Sequence, residues 1–359
     1  MPFGPECTRT LTGDQAIVKH PTLSRCCSIL PPAILPHPPC ASASPFAEHP
    51  ASPVPFPLPP DTPRRPLTRF APAPTGYLHL GHAASAVWVW GIARALGGTV
   101  LLRIEDHDCG RFRPEYEQAL LEDLEWLGLE PDLGLPTQYR AGRCEYRQSE
   151  RGALYDRELA GLAGAERIYV CDCSRRRLRE SVGDVPNAEA PYDGRCRDRG
   201  LAPAAGHGLR LRMEPGTERF VDLRLGAQAQ DPSAQCGDLL VRDRLGQWTY
   251  QFAVTVDDWR QGVDLIVRGA DLLESTGRQL RLARLLGRPS VPRFLHHPLI
   301  LSASGAKLSK ANRDTGLRDL RAGGVTPGEV LGAAAASTGL LAAPVALRAA
   351  DLAELFAHG

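Results

Sequence analysis

The sequence predicts an α/β fold organised around a doubly wound parallel sheet. Three observations carry that reading. Residues 67–104 run as extended segment, turn, apolar helix and second extended segment, the pattern of a βαβ unit. Val100, Leu101, Leu102 and Ile104 form the near-continuous apolar run of a strand buried on both faces. Further apolar runs at Trp248–Val256 and Asp264–Val267 alternate with helix-period stretches, as parallel strands joined by crossover helices require.

Taken in chain order, residues 1–66 hold 17 of the 32 prolines, and their apolar residues follow no period of 2 or 3.6. Prolines lack amide donors, so this stretch is expected to be a disordered Pro-rich leader or a mis-annotated start. No methionine lies between Met1 and Met213, so a later start needs another codon. Cys7, Cys26, Cys27 and Cys40 fall inside the leader and are read as unstructured rather than as a metal or redox appendage. The folded part begins with a strand at Leu67, turns at Pro72–Gly76, and continues as a helix stopped by Gly97-Gly98 and a strand at Thr99–Ile104. A helix from Pro114 to Leu127 follows, with proline in its first turn and Gly128 as its stop. Another helix is expected from Ser275 to Leu286. The expected divisions are 67–165 and 236–311 for the two halves of the sheet domain, 166–235 for a cysteine-bearing insertion, and 312–359 for a short helical C-terminal segment.

With 359 residues, 43% of them hydrophobic and 23% charged, the chain has material for a full core, which excludes wholesale disorder. Its 42 basic residues nearly balance 41 acidic ones, so an unselective grip on phosphate backbones is excluded. Ten cysteines are too sparse for a disulfide-stapled scaffold. The least polar window, 330–347, is interrupted by Ser337, Thr338 and Pro344, and no basic region followed by an apolar run opens the chain. A cytoplasmic location is expected.

Three constellations carry chemistry. His79-Leu80-Gly81-His82 opens a helix just beyond the carboxyl end of the first strand, where unpaired N–H groups and the helix dipole favour a phosphate. The same spacing also suits a surface histidine pair or a metal fragment. Lys307-Leu-Ser-Lys310 holds two of only three lysines among 39 arginines, which points to a need for compact, mobile ammonium groups. Cys171-Asp-Cys173 with Tyr192 and Cys196 offers soft ligands for a tetrahedral zinc, with Asp172, Asp193 and His207 as alternative fourth ligands. Cys109, Cys144 and Cys236 read as packing.

His79–His82 and Lys307–Lys310 resemble the two signature motifs of class I aminoacyl-tRNA synthetases. Arg69–Gly76, Arg103-Ile-Glu-Asp106, Val256-Asp-Asp258 and Val267-Arg-Gly-Ala-Asp271 narrow the resemblance to the glutamyl branch, and it runs from Leu67 to Ala311. The resemblance implies a Rossmann-type catalytic domain with a zinc-bearing insertion. It implies that His79, Gly81, His82 and Lys310 bind ATP, with Mg²⁺, and that His79, His82, Lys307 and Lys310 stabilise attack of a carboxylate on the α-phosphate. It assigns glutamate to Arg69, Glu105, Tyr250, Arg268 and the position of Ala73, where the family usually has serine. Cys-x-Cys followed by Tyr-x-x-x-Cys resembles the zinc motif of the short glutamyl-type enzymes that modify queuosine. That assigns one structural Zn²⁺ to Cys171, Cys173, Tyr192 and Cys196.

The chain ends 49 residues after Lys310, so no independent anticodon-binding domain is expected. The resemblance then implies tRNA-independent activation of glutamate with ATP and its transfer to queuosine in the anticodon loop of tRNA(Asp), by a monomer. Arginines in 175–179, 195–199 and 278–293 are candidates for phosphate contacts. The alternatives are a glutamyl-tRNA synthetase catalytic fragment that charges a tRNA 3′ end, and a catalytically silent zinc-bearing paralogue.

Overall fold

The helix that opens at the two histidines begins with a reciprocal cap. In the computed structural model, which describes residues 55–60, 62–174, 176–177, 191–300 and 316–358, His79 Nδ1 accepts the Gly81 N–H (3.1 Å) and His82 Nδ1 accepts the His79 N–H (3.1 Å). These bonds satisfy donors that would otherwise be orphaned at a helix start.

Around this helix the order is β1 (Phe56–Leu58), β2 (Leu67–Phe70), α1 (Leu80–Ala95), β3 (Thr99–Leu102), α2 (Pro114–Leu127), α3 (Pro136–Arg140) and α4 (Gly152–Gly164). There follow β4 (Ile168–Cys171), β5 (Gly208–Leu211), β6 (Glu218–Asp222), β7 (Gly226–Gln230), α5 (Pro232–Cys236), β8 (Leu239–Arg242) and α6 (Tyr250–Arg260). The last elements are β9 (Leu265–Gly269), α7 (Thr276–Leu285), β10 (Arg293–His297), α8 (Leu317–Ala322), α9 (Pro327–Ser337) and β11 (Phe356–His358).

The expected parallel pairing is present. β2 pairs with β3, and β10 pairs with both β9 and β6. β9 lies against β2, where the Asp264 N–H donates to the Leu67 carbonyl (3.1 Å) and the Asp264 side chain accepts the Leu67 N–H (2.8 Å). Two arrangements were not expected: β7 adds antiparallel to β6, and β4, β5 and β8 form a separate antiparallel sheet that carries Cys171 at its edge. α2 spans the expected residues, with Gly128 left-handed at φ 71°.

Two expectations are corrected. Trp248–Val256 is not a strand: Tyr250–Arg260 is α6, and Phe252 to Asp258 are all buried. A helix packed on every side shows no polar face, so its sequence imitates a buried strand. The proline-rich stretch also contributes to the fold at its end. Phe56–Leu58 pairs in parallel with Phe356–His358, with Pro57 exposed and Leu58 buried. Proline is tolerated on such an edge because its missing N–H can face away from the ladder. Phe56, Trp88 and Phe356 meet edge-on at 5.2–6.4 Å. The C-terminal residues thus run from α8 and α9 through a 3-10 turn (Ala349–Leu355) into a strand, and they pack on α1. No helix among the described residues is long and apolar enough to cross a membrane.

Candidate functional site

A cavity of about 540 Å³ is lined by the carboxyl ends of β2, β9 and β10 and by the first turn of α1. Its wall contains His79, Gly81, His82, Arg69, Glu105, Tyr250 and Arg268, so the sequence-derived phosphate and glutamate residues share one space. Ala73 is the exception: its neighbour Pro72 reaches the wall and it does not. Lys307 and Lys310 lie outside the described residues, as do Arg175 and Arg179.

The caps of α1 have a chemical consequence. Because His79 and His82 both use Nδ1 as an acceptor, each neutral ring carries its proton on Nε2, a donor suited to an anion. The rings stand 4.0 Å apart. A Cβ at Gly81 would lie 2.9 Å from His79 Cε1, so a side chain there would displace the capping ring.

Beneath the cavity is a buried charge network. Asp258 Oδ1 accepts from Arg69 Nε (3.0 Å) and Arg103 Nη1 (2.8 Å), and Arg103 Nη2 donates to Glu105 Oε1 (3.0 Å). Burial alone would raise the Asp258 carboxyl, but Arg69 and Arg103 hold it at about 2. Glu105 shifts upward because burial outweighs the pull of Arg103. Arg268 is held differently. Its Nε donates to His296 Nε2 (3.0 Å), Nη1 to Gln279 Oε1 (2.7 Å) and Nη2 to Thr276 Oγ1 (2.8 Å). All three partners are neutral acceptors, and burial pulls the guanidinium's pKa down. Among the described residues no carboxylate is within ion-pair distance of it. A buried cation so placed is chemically suited to pair with a carboxylate.

The cysteine cluster is assembled as expected. The sulfurs of Cys171, Cys173 and Cys196 lie within 4.8 Å of one another. Cys173 and Cys196 are 3.6 Å apart, and the Tyr192 hydroxyl is 3.6 Å from Cys171 and 3.8 Å from Cys173. Tetrahedral zinc with ordinary bond lengths separates two sulfurs by about 3.8 Å and a sulfur from an oxygen by about 3.5 Å, so this donor set fits the ion. Of the alternative fourth ligands, Asp172 is paired with Arg199 (2.9 Å) while its Oδ1 also lies 3.3 Å from Cys196 Sγ, Asp193 is paired with Arg195 (3.2 Å), and His207 Nδ1 sits 3.2 Å from the Ala202 carbonyl. Arg210, which the sequence reading passed over, lies 3.7 Å over the Tyr192 ring and donates from Nε to Cys171 Sγ (3.4 Å). Cys144 is buried as expected, whereas Cys109 and Cys236 are only half-buried.

The family model described as tRNA synthetases class I (E and Q), catalytic domain, matches residues 67–330. A glutamyl-Q tRNA(Asp) synthetase of Symbiobacterium thermophilum is 42% identical over 303 residues, spanning 80% of this chain and 91% of that protein. This chain belongs to the glutamyl-Q tRNA(Asp) synthetase family. It is also similar to longer proteins. A glutamate–tRNA ligase 2 of Acidithiobacillus ferrooxidans is 42% identical over 271 residues, which cover 72% of this chain and 55% of that one. The crystal structure of a glutamate tRNA ligase from Elizabethkingia meningosepticum, in complex with its amino acid, superposes with a TM-score of 0.66 at 26% identity. That match covers 82% of this chain and 65% of the ligase, so the chain spans just under two thirds of that structure.

As a glutamyl-Q tRNA(Asp) synthetase family member the chain has supporting residues that motif reading did not select: Asp222, Thr276, Gln279 and His296. Their only local signal is the pair His296-His297 before Pro298. Arginines expected at phosphates are partly committed elsewhere. Arg197 pairs with Asp238 (2.5 Å), Arg199 with Asp172, and Arg281 and Arg284 with Glu218.

Proposed function

We propose that this chain activates glutamate with ATP in the absence of tRNA and transfers it to the queuosine at the wobble position of tRNA(Asp), giving glutamyl-queuosine. The observation that carries the glutamate assignment is Arg268, a buried guanidinium on the cavity wall with only neutral partners. A substrate carboxylate supplies the counter-charge it lacks. Arg69, steadied by Asp258, takes the other carboxylate, Glu105 takes the ammonium group, and the Tyr250 hydroxyl completes the pocket. His79 and His82 offer Nε2–H donors to the phosphates of ATP, and Lys307 and Lys310 neutralise the charge that grows during reaction.

In the first step a glutamate carboxylate oxygen attacks the α-phosphorus and pyrophosphate leaves, forming glutamyl-adenylate. In the second a hydroxyl of the queuosine diol attacks the acyl carbon, loses its proton and expels AMP, leaving an ester. Neither step needs a covalent bond to the protein, so catalysis is positioning and charge stabilisation. Mg²⁺ accompanies ATP. Zn²⁺ held by Cys171, Cys173, Tyr192 and Cys196 supplies structural rigidity to the insertion. ATP, glutamate and tRNA meet in the cytoplasm, the location this reading assigns.

A second reading, transfer to a tRNA 3′ end, is favoured by the 42% identity to a glutamate–tRNA ligase. Two measurements test the proposal. Glutamate, but neither glutamine nor aspartate, supports ATP–pyrophosphate exchange without RNA; exchange that requires tRNA or accepts glutamine equally overturns the activation step. Radiolabelled glutamate is recovered in the anticodon-loop fragment of queuosine-containing tRNA(Asp). Recovery on the 3′-terminal adenosine instead establishes the second reading.

A further inference from the structure

The guanidinium of Arg268 is oriented by a buried chain of hydrogen bonds that begins two strands away. Asp222, at the end of β6, uses all of its acceptor capacity. Its Oδ1 accepts the N–H groups of Arg224 (3.0 Å) and Leu225 (2.8 Å), and its Oδ2 accepts the His296 N–H (3.0 Å) and faces His296 Nδ1 at 2.6 Å. Four donors on one carboxylate keep it ionised, and its pKa lies below the ordinary value even though burial opposes this. An ionised carboxylate only accepts, so Nδ1 of His296 must carry the proton. Nε2 is then a bare acceptor, and the Nε–H of Arg268 donates into it (3.0 Å). Thr276 Oγ1 lies 3.4 Å from the same nitrogen and also accepts from Arg268. Asp222 is 1% exposed and His296 0%, so the link between them is closed to bulk water, while Arg268 at 4% meets only the cavity.

We infer that Asp222 and His296 are positioning residues for Arg268: the carboxylate fixes the imidazole tautomer, and the imidazole fixes the plane in which the guanidinium meets a glutamate carboxylate. The inference rests on the reading of Arg268 as a glutamate contact. The surroundings of the ring agree with a neutral imidazole. Burial opposes its protonation, as do Arg268 and Arg69, while Asp222 favours it, and the adjoining His297, which burial pushes down to about 4, is uncharged at neutral pH. A doubly protonated His296 would point an N–H at the N–H of Arg268, and the guanidinium would have to turn away. Asparagine cannot stand in for Asp222. In either orientation its NH₂ group confronts N–H donors, at Arg224 and Leu225 or at His296.

The test uses the full chain and three kinds of variant, with glutamate-dependent ATP–pyrophosphate exchange as the assay and thermal unfolding as a check on folding. His296→Leu and Asp222→Asn raise the KM for glutamate about ten- to a hundredfold, the range for losing a hydrogen bond to a charged group, and leave the KM for ATP within about twofold. His296→Gln, whose amide oxygen reaches the position of Nε2, recovers most of the loss. In the unaltered protein, ¹⁵N-labelled imidazole spectra show His296 as the Nδ1–H tautomer, a signal that does not depend on turnover. An Nε2–H tautomer, or a doubly protonated ring at pH 7, overturns the inference. So does an unchanged glutamate KM in folded His296→Leu and Asp222→Asn when Arg268→Ala raises that KM. If Arg268→Ala itself leaves the glutamate KM unchanged, the glutamate reading of the pocket falls, and the positioning role falls with it.

Discussion

Replacing Asp258 by asparagine isolates the electrostatic keystone of the pocket. The substitution keeps the volume and removes the one anion shared by Arg69 and Arg103, at 3.0 and 2.8 Å, in a site where Asp258 is 3% exposed. Two routes give its size. Removing one partner of a buried ion pair typically costs about 3–5 kcal/mol. Holding a carboxyl at about 2 rather than at 3.8 is worth on the order of 2 kcal/mol at neutral pH. The folded-state value is the depressed one, so this stabilisation is complete above 3.8 and is lost as pH falls towards 2. Asp258→Asn is therefore expected to lose about 3 kcal/mol of unfolding free energy at pH 7 in urea titrations followed by tryptophan fluorescence. The gap from the unaltered protein should narrow below pH 4. The glutamate KM should rise as well, because Arg69 loses the acceptor that aims it. A loss under about 1 kcal/mol at pH 7, within the range of an exposed pair, would refute the reasoning. A gap that stays constant down to pH 2 would refute it too.

Other expectations follow from the fold and from the proposed function. On the proposed reading Lys310→Ala lowers glutamate-dependent pyrophosphate exchange about a hundredfold while glutamate binding changes little, since the ammonium would act mainly in the transition state; near-normal exchange would remove Lys310 from the chemistry. Leu58→Ala costs about 2–5 kcal/mol in chemical unfolding because the side chain is 2% exposed, and a neutral effect would deny β1 its place in the core. Gly237→Ala lowers zinc content by elemental analysis, because a Cβ at φ 61° would sit 2.1 Å from the Tyr192 carbonyl oxygen. The double variant Cys171→Ala/Cys173→Ala should carry no zinc, and metal retained there lies elsewhere.

Local signals decided which parts were legible beforehand. Pro114 and Gly128 mark the ends of α2 by fixing backbone angles, and a rule based on those residues needs no tertiary context. β3 was readable because strands buried on both faces are continuously apolar. The same rule failed at Tyr250–Arg260, where a helix enclosed on all sides satisfies it equally well. The pairing of Phe56–Leu58 with Phe356–His358 joins residues 300 positions apart, and no local pattern announces such a contact. The site divides in the same way. His79, His82, Arg69, Glu105 and Arg268 sit in motifs and Tyr250 came with the resemblance alone, whereas Asp222 and His296 are 74 residues apart and carry no spacing rule.

Charge arithmetic joins these pieces into an account of selectivity. Among the groups assigned above to glutamate and their direct ion-pair partners, the guanidiniums of Arg69, Arg103 and Arg268 stand against the carboxylates of Glu105 and Asp258, one positive charge over; Asp271, also on the cavity wall, is not in that set. Asp222 stands one ring behind Arg268 and is offset by Arg224, whose Nε donates to the His296 carbonyl (2.6 Å). Glutamate brings two carboxylates and one ammonium, a net charge that neutralises the set. Glutamine brings none, so binding it would leave a buried cation uncompensated, and its amide NH₂ group would face an N–H donor of whichever arginine takes the side-chain carboxylate. Aspartate has the right charge but is one methylene short of spanning two arginines fixed on neighbouring strands, Arg69 by Asp258 and Arg268 by His296. On the proposed reading, discrimination against glutamine would come from an unpaired charge, and discrimination against aspartate from distance. The second depends on Arg268 being held still, which ties the selectivity of the pocket to the Asp222–His296 pair behind it.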